Sequence, residues 1–424
     1  MNEKKHEKNY GIEWLRILSM YMVAVLHTLG QGGILGSFKQ GDLSFSIAWF
    51  LETAAFGAVD CFALISGYVG YHSHFRYKKG LRLWFQTFFY TLGITILFAI
   101  FMPEAVTKDQ WIAAFFPIMK KQYWYMTAYA GLFILIPILN RAIVNLSGRE
   151  LIKICIAIFL VFSLIPTLLN ETVFGLGGGY SAIWLLLLYI CGGFWGKYHE
   201  ICLTHLPDFC FRHRLFLPFL FYLLCTTISF LLKMFGFSQY VSYTSPTIFL
   251  GSCALFFLFS LMPCSKKSSR VASFLAPSAL SVYLIHVHPL IWNHLILYFA
   301  IGHFPSGPML FVWVIIAALC IYLVCTIIDL PRRLLWYIAA RFFLQKSGGK
   351  AHGFNRGMKA KKLFCNYRTM MSNFVEMLYR QLLVLCLCPC VLYDILFISV
   401  KNIYSYSQLK EGTYAYGTAS VKNI

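Results

Sequence analysis

From residue 12 to residue 330 the sequence is a succession of apolar runs, each about 17 to 25 residues long. Such runs match the roughly 30 Å hydrocarbon thickness of a bilayer when wound at about 1.5 Å per residue. In lipid each backbone N–H and C=O must find its partner within its own segment, which leaves helices or a closed barrel. Alternating strand patterns of barrel length are absent, so the runs are read as helices. Only 12% of residues are charged, half the roughly one quarter of a soluble domain, which excludes a soluble enzyme, a disordered regulator and a fibre. The expected fold is all-α, a polytopic transmembrane helical bundle.

Ten spans are predicted, at 12–29, 45–70, 83–102, 123–140, 151–169, 180–196, 215–234, 247–263, 279–300 and 309–330. The Lys-rich start followed by an apolar stretch could resemble a signal peptide. That stretch contains Arg16 and His27 and lacks a small-residue cleavage site, so it is expected to be the first retained span. If the N-terminus is cytoplasmic, the gaps on its side carry sixteen Lys or Arg residues, among them Lys4, Lys5, Arg76, Lys78, Lys79 and Arg82. The opposite gaps carry five: Lys39, Lys108, Lys120, Lys121 and Lys233. The alternation predicts both termini inside.

The net charge of +20 is uneven: residues 1–330 hold 22 Lys/Arg against 13 Asp/Glu, and residues 331–424 hold 14 against 3. In a membrane protein, basic loops report topology before nucleic acid, and no nucleic-acid partner is expected. A membrane-embedded domain over 1–344 and a basic tail over 345–424 are the predicted divisions, with a possible further apolar segment at 382–400. The tail is expected to lie against anionic lipid and to carry no catalytic group. Of fourteen cysteines, ten are scattered along residues 61–325 as small apolar residues, and Cys386, Cys388 and Cys390 have no zinc-site spacing.

No loop in the body is long enough for a soluble domain, so any chemistry must lie among the helices. An ionisable side chain in hydrocarbon costs several kcal/mol (roughly) unless paired or wet, which makes such residues functional candidates. They are Arg16 and His27 in the first span, Glu52 and Asp60 in the second, and His286, His288 and His294 in the ninth. Arg82 and Asp329, at span ends, are expected to snorkel. Eleven steps of about 100° bring Arg16 and His27 back to one helix face, about 16 Å apart along the axis. A guanidinium suits a phosphate and an imidazole suits proton transfer. Alternatively, Arg16 only pairs with Glu13 three residues earlier and His27 bonds a neighbouring helix. Glu52 lies at a depth that could approach His27, where a carboxylate would orient the ring of a general base; either acid could instead counter Arg16. The H-x-H of His286 and His288 has no third ligand nearby in sequence, so no metal is expected. Gly177, Gly178, Gly179, Gly192 and Gly193 are read as lying at or near span ends.

The R-x10-H of the first span (GIEWLRILSMYMVAVLH) resembles the signature of the acyltransferase-3 family of bacterial integral-membrane O-acyltransferases. So do VDCFALISGY with the basic loop into Arg82, WYMTAYAGLFILIPILN, and SVYLIHVHPLI, four motifs in order over residues 10–330. The resemblance implies transfer of an acyl group, usually acetyl, from cytoplasmic acyl-CoA to a hydroxyl of a cell-surface glycan or glycolipid, at the bacterial inner membrane. It implies donor binding by Arg16, Lys79 and Arg82 and proton removal by His27, with Glu52 and Asp60 in support. Trp124, Tyr125 and His286 would line the acceptor pocket, and acetyl-CoA or another acyl-CoA is the one small molecule implied. Many members carry Arg-x-x-Arg where this chain has Lys79-Gly80-Leu81-Arg82, and a His where Gln122 and Tyr123 stand. Lys79 keeps the charge but not the bidentate fork. The competing reading is a transporter or flippase that uses the same charges as a substrate or proton path and has discontinuous helices.

Overall fold

The computed structural model describes residues 8–73, 77–296 and 304–346, which form helices joined by turns and short loops, with no strand among them. Lys4, Lys5 and Arg76 of the charge count, the three C-terminal cysteines and the 382–400 segment lie outside the described residues. The chain divides into two compact units, Met1–Trp336 and Tyr337–Ile424, and the first holds the cavity and the site side chains discussed below.

The principal helices are α1 (Tyr10–Leu29), α2 (Leu43–Ala55), α3 (Ala58–Gly70), α4 (Tyr77–Phe101), α5 (Lys108–Phe115), α6 (Trp124–Asn145) and α7 (Gly148–Leu169). They continue as α8 (Ala182–Thr204), α9 (Phe216–Met234), α10 (Pro246–Leu261), α11 (Lys266–Leu275), α12 (Ala279–His286), α13 (Pro289–Ile296) and α14 (Met309–Lys346). Among the described residues, seven helical segments are long and apolar enough to cross a membrane, eight if the bent pair Lys266–His286 and Pro289–Ile296 is one span. The ten expected runs also include α8, whose last turns carry Lys197, His199 and Glu200, and α10, with 16 residues.

Helix α1 is the axis of the bundle and packs against α2, α3, α10, α11 and α12. Its N-cap is Asn9, whose side chain accepts from the Ile12 N–H and donates to the Ser260 carbonyl at 2.7 Å, which ties the helix start to the end of α10. Gly11 lets the two backbones touch: a Cβ there would stand 1.9 Å from the Phe259 carbonyl oxygen. Most of α1 is buried, so its polar positions face protein rather than lipid.

Helices α3 and α8 cross at small residues. A Cβ on Gly67 would lie 2.0 Å from the Tyr189 carbonyl oxygen, and one on Gly192 would lie 2.0 Å from that of Leu64. Without a hydrophobic drive between helices in lipid, such close approach supplies the dispersion contact that holds them. Gly192 and Gly193 lie inside α8, which runs on to Thr204, and they serve packing.

Two further expectations need correction. The ninth apolar run is not one straight span: it breaks between His286 and Pro289, with a 67° bend. Pro289 supplies no N–H to the ladder and disfavours helical backbone at His288, whose φ −59° and ψ 125° are extended. The last run does not end at Leu330, since α14 continues through Pro331 to Lys346.

Candidate active site

A cavity of about 660 Å³ opens within the first unit, between α1, α3, α4, α6, α12 and α14. At one end stand four guanidinium groups, from Arg16, Arg82, Arg332 and Arg333. The middle is apolar and aromatic, lined by Met20, Val23, Phe62, Tyr125, Tyr129 and Tyr283. His27, Trp124 and Tyr243 also line it. Arg16 and His27 both line the cavity, about 16 Å apart along α1 by helical rise.

Arg16 donates to Glu13 at 2.9 Å, the i−3 pairing considered from sequence, and it faces the cavity as well. Arg82 reaches the cavity and lies over the Trp336 ring at 5.3 Å. Lys79 is exposed and is not among the lining residues. Lys79 and Arg82 share one broad face of α4, but Lys79 stands about 4.5 Å nearer the helix start, where Tyr77, Lys78 and Lys79 are all exposed. The arginine end instead gains Arg332 and Arg333, just beyond the last predicted span at 309–330.

Asp329 organises that pair. Expected to snorkel, it is fully buried and accepts from the Tyr90 hydroxyl, from Ser278 at 2.7 Å and from Arg332 through a fork of 2.6 and 3.1 Å. Arg333 donates to the Phe274 carbonyl at 2.8 Å and to Ser278 at 3.2 Å. Arg332 is therefore held by Asp329 of its own helix and by Tyr90 of α4, and Arg333 by α11 and the turn before α12, which limits the entropy an anion would have to remove.

His27 sits near the C-terminal end of α1, in the last turn. Its Nδ1 lies 2.8 Å from Nε2 of His286, and the two rings are 5.1 Å apart between centroids. The other nitrogen of His286, Nδ1, is 2.6 Å from the Val282 carbonyl oxygen. A carbonyl can only accept, so His286 Nδ1 carries the proton and its Nε2 presents a lone pair. His27 Nδ1 must then be the donor. The bonding partners therefore assign neutral His27 the tautomer whose Nε2 is bare, the form that can take up a proton. The ring of Trp292, just past the helix break, closes against both imidazoles at 6.2 and 6.5 Å.

The carboxylate expected beside His27 is not there; His286 occupies that place. Asp60 is fully buried and accepts from the Trp184 indole at 2.9 Å, which links α3 to α8. Glu52 is buried in α2 and its Oε2 has no hydrogen-bond partner. Neither acid is among the cavity-lining residues. Trp124 and Tyr125 do line the cavity, whereas His286 lies behind His27, fully buried. His288 accepts from the Leu290 N–H at 3.2 Å and caps the second half of the broken helix, and His294 packs on Phe98. The three histidines of the ninth run thus take separate local roles. Among the described residues, no three His, Cys, Asp or Glu side chains converge as a metal site.

Sequence reasoning missed Arg332, Arg333 and Tyr243. The two arginines follow Asp329-Leu-Pro, and an acid buried near the end of an apolar run was the available signal. Tyr243 lies in a connecting segment with no motif to mark it.

A family model described as an acyltransferase domain matches residues 9–330, well over half of the chain. No curated protein and no solved structure matches it.

Proposed function

Starting from the acyltransferase-3 family, to which this chain belongs, we propose that this multi-pass membrane acyltransferase takes its acyl group, usually acetyl, from cytoplasmic acyl-CoA and passes it to a hydroxyl of a cell-surface glycan or glycolipid, with His27 as general base. The observation that carries the reading is the His27–His286 pair: its bonding fixes a bare Nε2 on a residue that lines a long cavity with arginines at its other end. The charge bias of the loops supports a ten-span arrangement in a bacterial inner membrane, with both termini and the arginine end cytoplasmic.

In this reading the nucleotide phosphates of the donor rest on Arg16, Arg82, Arg332 and Arg333. Guanidiniums suit this task because they stay charged and bind phosphate oxygens in pairs. The long, thin acyl-bearing arm lies in the apolar middle of the cavity, and its thioester reaches His27. As the acceptor hydroxyl attacks the thioester carbon, its proton passes to His27 Nε2. The C–S bond then breaks, and the leaving thiolate takes that proton back. While His27 is an imidazolium, its Nδ1–H still donates to neutral His286, which holds the ring in place as a carboxylate would in a Ser-His-Asp arrangement. Asp60 acts through packing, by bonding Trp184, and not on the reacting atoms.

Proton relay in a transporter is the second reading, and the helix break beside His286 favours it. One experiment separates the two. Purified protein is given acetyl-labelled acetyl-CoA and a membrane glycan extract, and CoA release and label transfer are followed for wild type, His27→Ala and Arg16→Ala. The enzyme releases CoA and labels glycan, loses both with His27→Ala, and needs more acetyl-CoA with Arg16→Ala. Folded wild type that neither binds acyl-CoA nor releases CoA, while moving solute with an ion gradient, would establish transport instead.

A further inference from the structure

At the arginine end of the cavity stands an indole that the transfer chemistry at His27 does not use. Trp336, about one turn beyond Arg332 on α14, lines the cavity and keeps 38% of its surface exposed. Arg82 lies over its ring at 5.3 Å, and the Phe85 ring meets it at 5.8 Å and 40°, so α4 covers part of the indole and leaves the rest open. Among the described residues Arg82 makes no ion pair. A guanidinium laid on an aromatic ring keeps its N–H edge outward, available to an anion. The turn before α12, which bonds Arg333 through Ser278, adds Ala276, Pro277 and Ala279 to the lining at this end. Their small side chains leave width for a flat group. A tryptophan near the end of a last span commonly anchors its helix among lipid headgroups, whereas Trp336 shares a cavity with four guanidiniums.

We infer that Trp336 and Arg82 form a nucleobase subsite: the adenine of the donor stacks on the indole while Arg82 holds an adjoining phosphate, so that the enzyme selects an acyl group carried on a free nucleotide over one carried on a phosphopantetheine-bearing protein. The inference rests on the acyltransfer reading and deepens it. The two donor classes share the same thin arm and thioester, so His27 and the apolar middle of the cavity serve both equally. They differ only at the far end. A carrier-bound arm brings one phosphate and then a protein surface, and it has no use for a planar ring inside the cavity. Coenzyme A brings three phosphates and a purine. Four guanidiniums with an indole beside them match the second set. Stacking accepts any base, because each has a π-face, so Trp336 reads that a base is present and not which edge it shows.

The test follows label transfer to a membrane glycan extract by protein in phospholipid nanodiscs, from acetyl-labelled acetyl-CoA and from acetyl-labelled acetyl-phosphopantetheine, with binding of radiolabelled CoA measured alongside. Trp336→Ala should raise KM for acetyl-CoA about 5- to 150-fold and leave KM for acetyl-phosphopantetheine within about two-fold of wild type. The second donor lacks the base, so its turnover also shows that the variant is folded. Trp336→Phe, which keeps a ring, should recover most of the loss. Trp336→Leu fills the space without a π-face and should give the same split between donors where the alanine variant does not fold. Wild type that takes both donors with equal KM overturns the inference. So does an unchanged KM for acetyl-CoA in Trp336→Ala, the result for a ring that only anchors its helix. An equal rise for both donors would make Trp336 a packing residue and overturn it too. Folded wild type that transfers from neither donor, yet binds CoA and loses that binding in Trp336→Ala, would leave the subsite standing and remove the acyltransfer reading alone. Folded wild type that does not bind CoA would remove both.

Discussion

Replacing His286 by alanine is the perturbation that separates the proposed base from any other way of using His27. In the wild type, His286 Nδ1–H is fixed by the Val282 carbonyl at 2.6 Å, and its Nε2 holds the His27 Nδ1–H at 2.8 Å. Removing the ring leaves that N–H without its partner in a buried place, at a cost of about 1–3 kcal/mol. The cost is relieved when the proton moves to His27 Nε2, and that is the tautomer that cannot act as base. The same 1–3 kcal/mol therefore appears in the barrier as a fall in kcat of roughly 5- to 150-fold. Loss of the base itself should cost more, about 10²- to 10⁴-fold, in His27→Ala. The donor lies at the arginines and along the apolar middle, so KM for acetyl-CoA should not change in either variant. His286→Gln, whose amide oxygen can accept from His27 Nδ1, should recover part of the loss. The assay is steady-state label transfer in nanodiscs, with thermal unfolding as the check that His286→Ala is folded. A folded His286→Ala enzyme with kcat within about two-fold of wild type would refute the tautomer argument, because the predicted floor is roughly 5-fold.

Other positions test the frame around the site. Gly192→Val should drive methyl groups into the Leu64 carbonyl and destabilise the α3–α8 contact by about 1–3 kcal/mol or more, read as a lower unfolding temperature in detergent. Asp60→Ala strands the buried Trp184 indole N–H and should cost about 1–3 kcal/mol of stability, while kcat of the folded fraction holds. Asp329→Ala breaks a fork whose carboxylate is fully buried. The cost should be about 3 kcal/mol, the low end for a buried pair because Arg332 keeps 16% of its side-chain surface exposed, and KM for acetyl-CoA should rise as Arg332 loses its position. Lys79→Ala should leave that KM unchanged, whereas Arg82→Ala should raise it, as titrations of the labelled donor would show.

What could be read from the sequence was whatever a single helix determines. The 100° step of an α-helix put Arg16 and His27 on one face of α1, and that face is the one that lines the cavity. Hydropathy located the runs because lipid leaves no other use for them. What was missed depends on how helices rotate against one another. Depth suggested that Glu52 could approach His27, but depth says nothing of azimuth, and the residue that turned out to face His27 is 259 positions away. Hydropathy also passes smoothly through His288-Pro289, although proline chemistry breaks the helix there. The same smoothness concealed Asp329: an acid near the end of an apolar run reads as one that reaches water, and only the packing of Tyr90 and Ser278 around it shows that it does not. Hydropathy likewise gave no sign that Gly192 and Gly193 are contact points, Gly192 against the Leu64 backbone and Gly193 against the Ile143 side chain.

The central claim is that one cavity holds the donor from its phosphates at the arginines to its thioester at His27. The most direct measurement is a cryo-electron microscopy structure with a thioether analogue of acetyl-CoA, which carries the donor's shape but cannot be cleaved. The account predicts phosphate density against Arg16, Arg82, Arg332 and Arg333, and the thioether sulfur beside His27 Nε2. An analogue bound outside this cavity, or lying in it with its phosphates at the Trp124 end, would contradict the account.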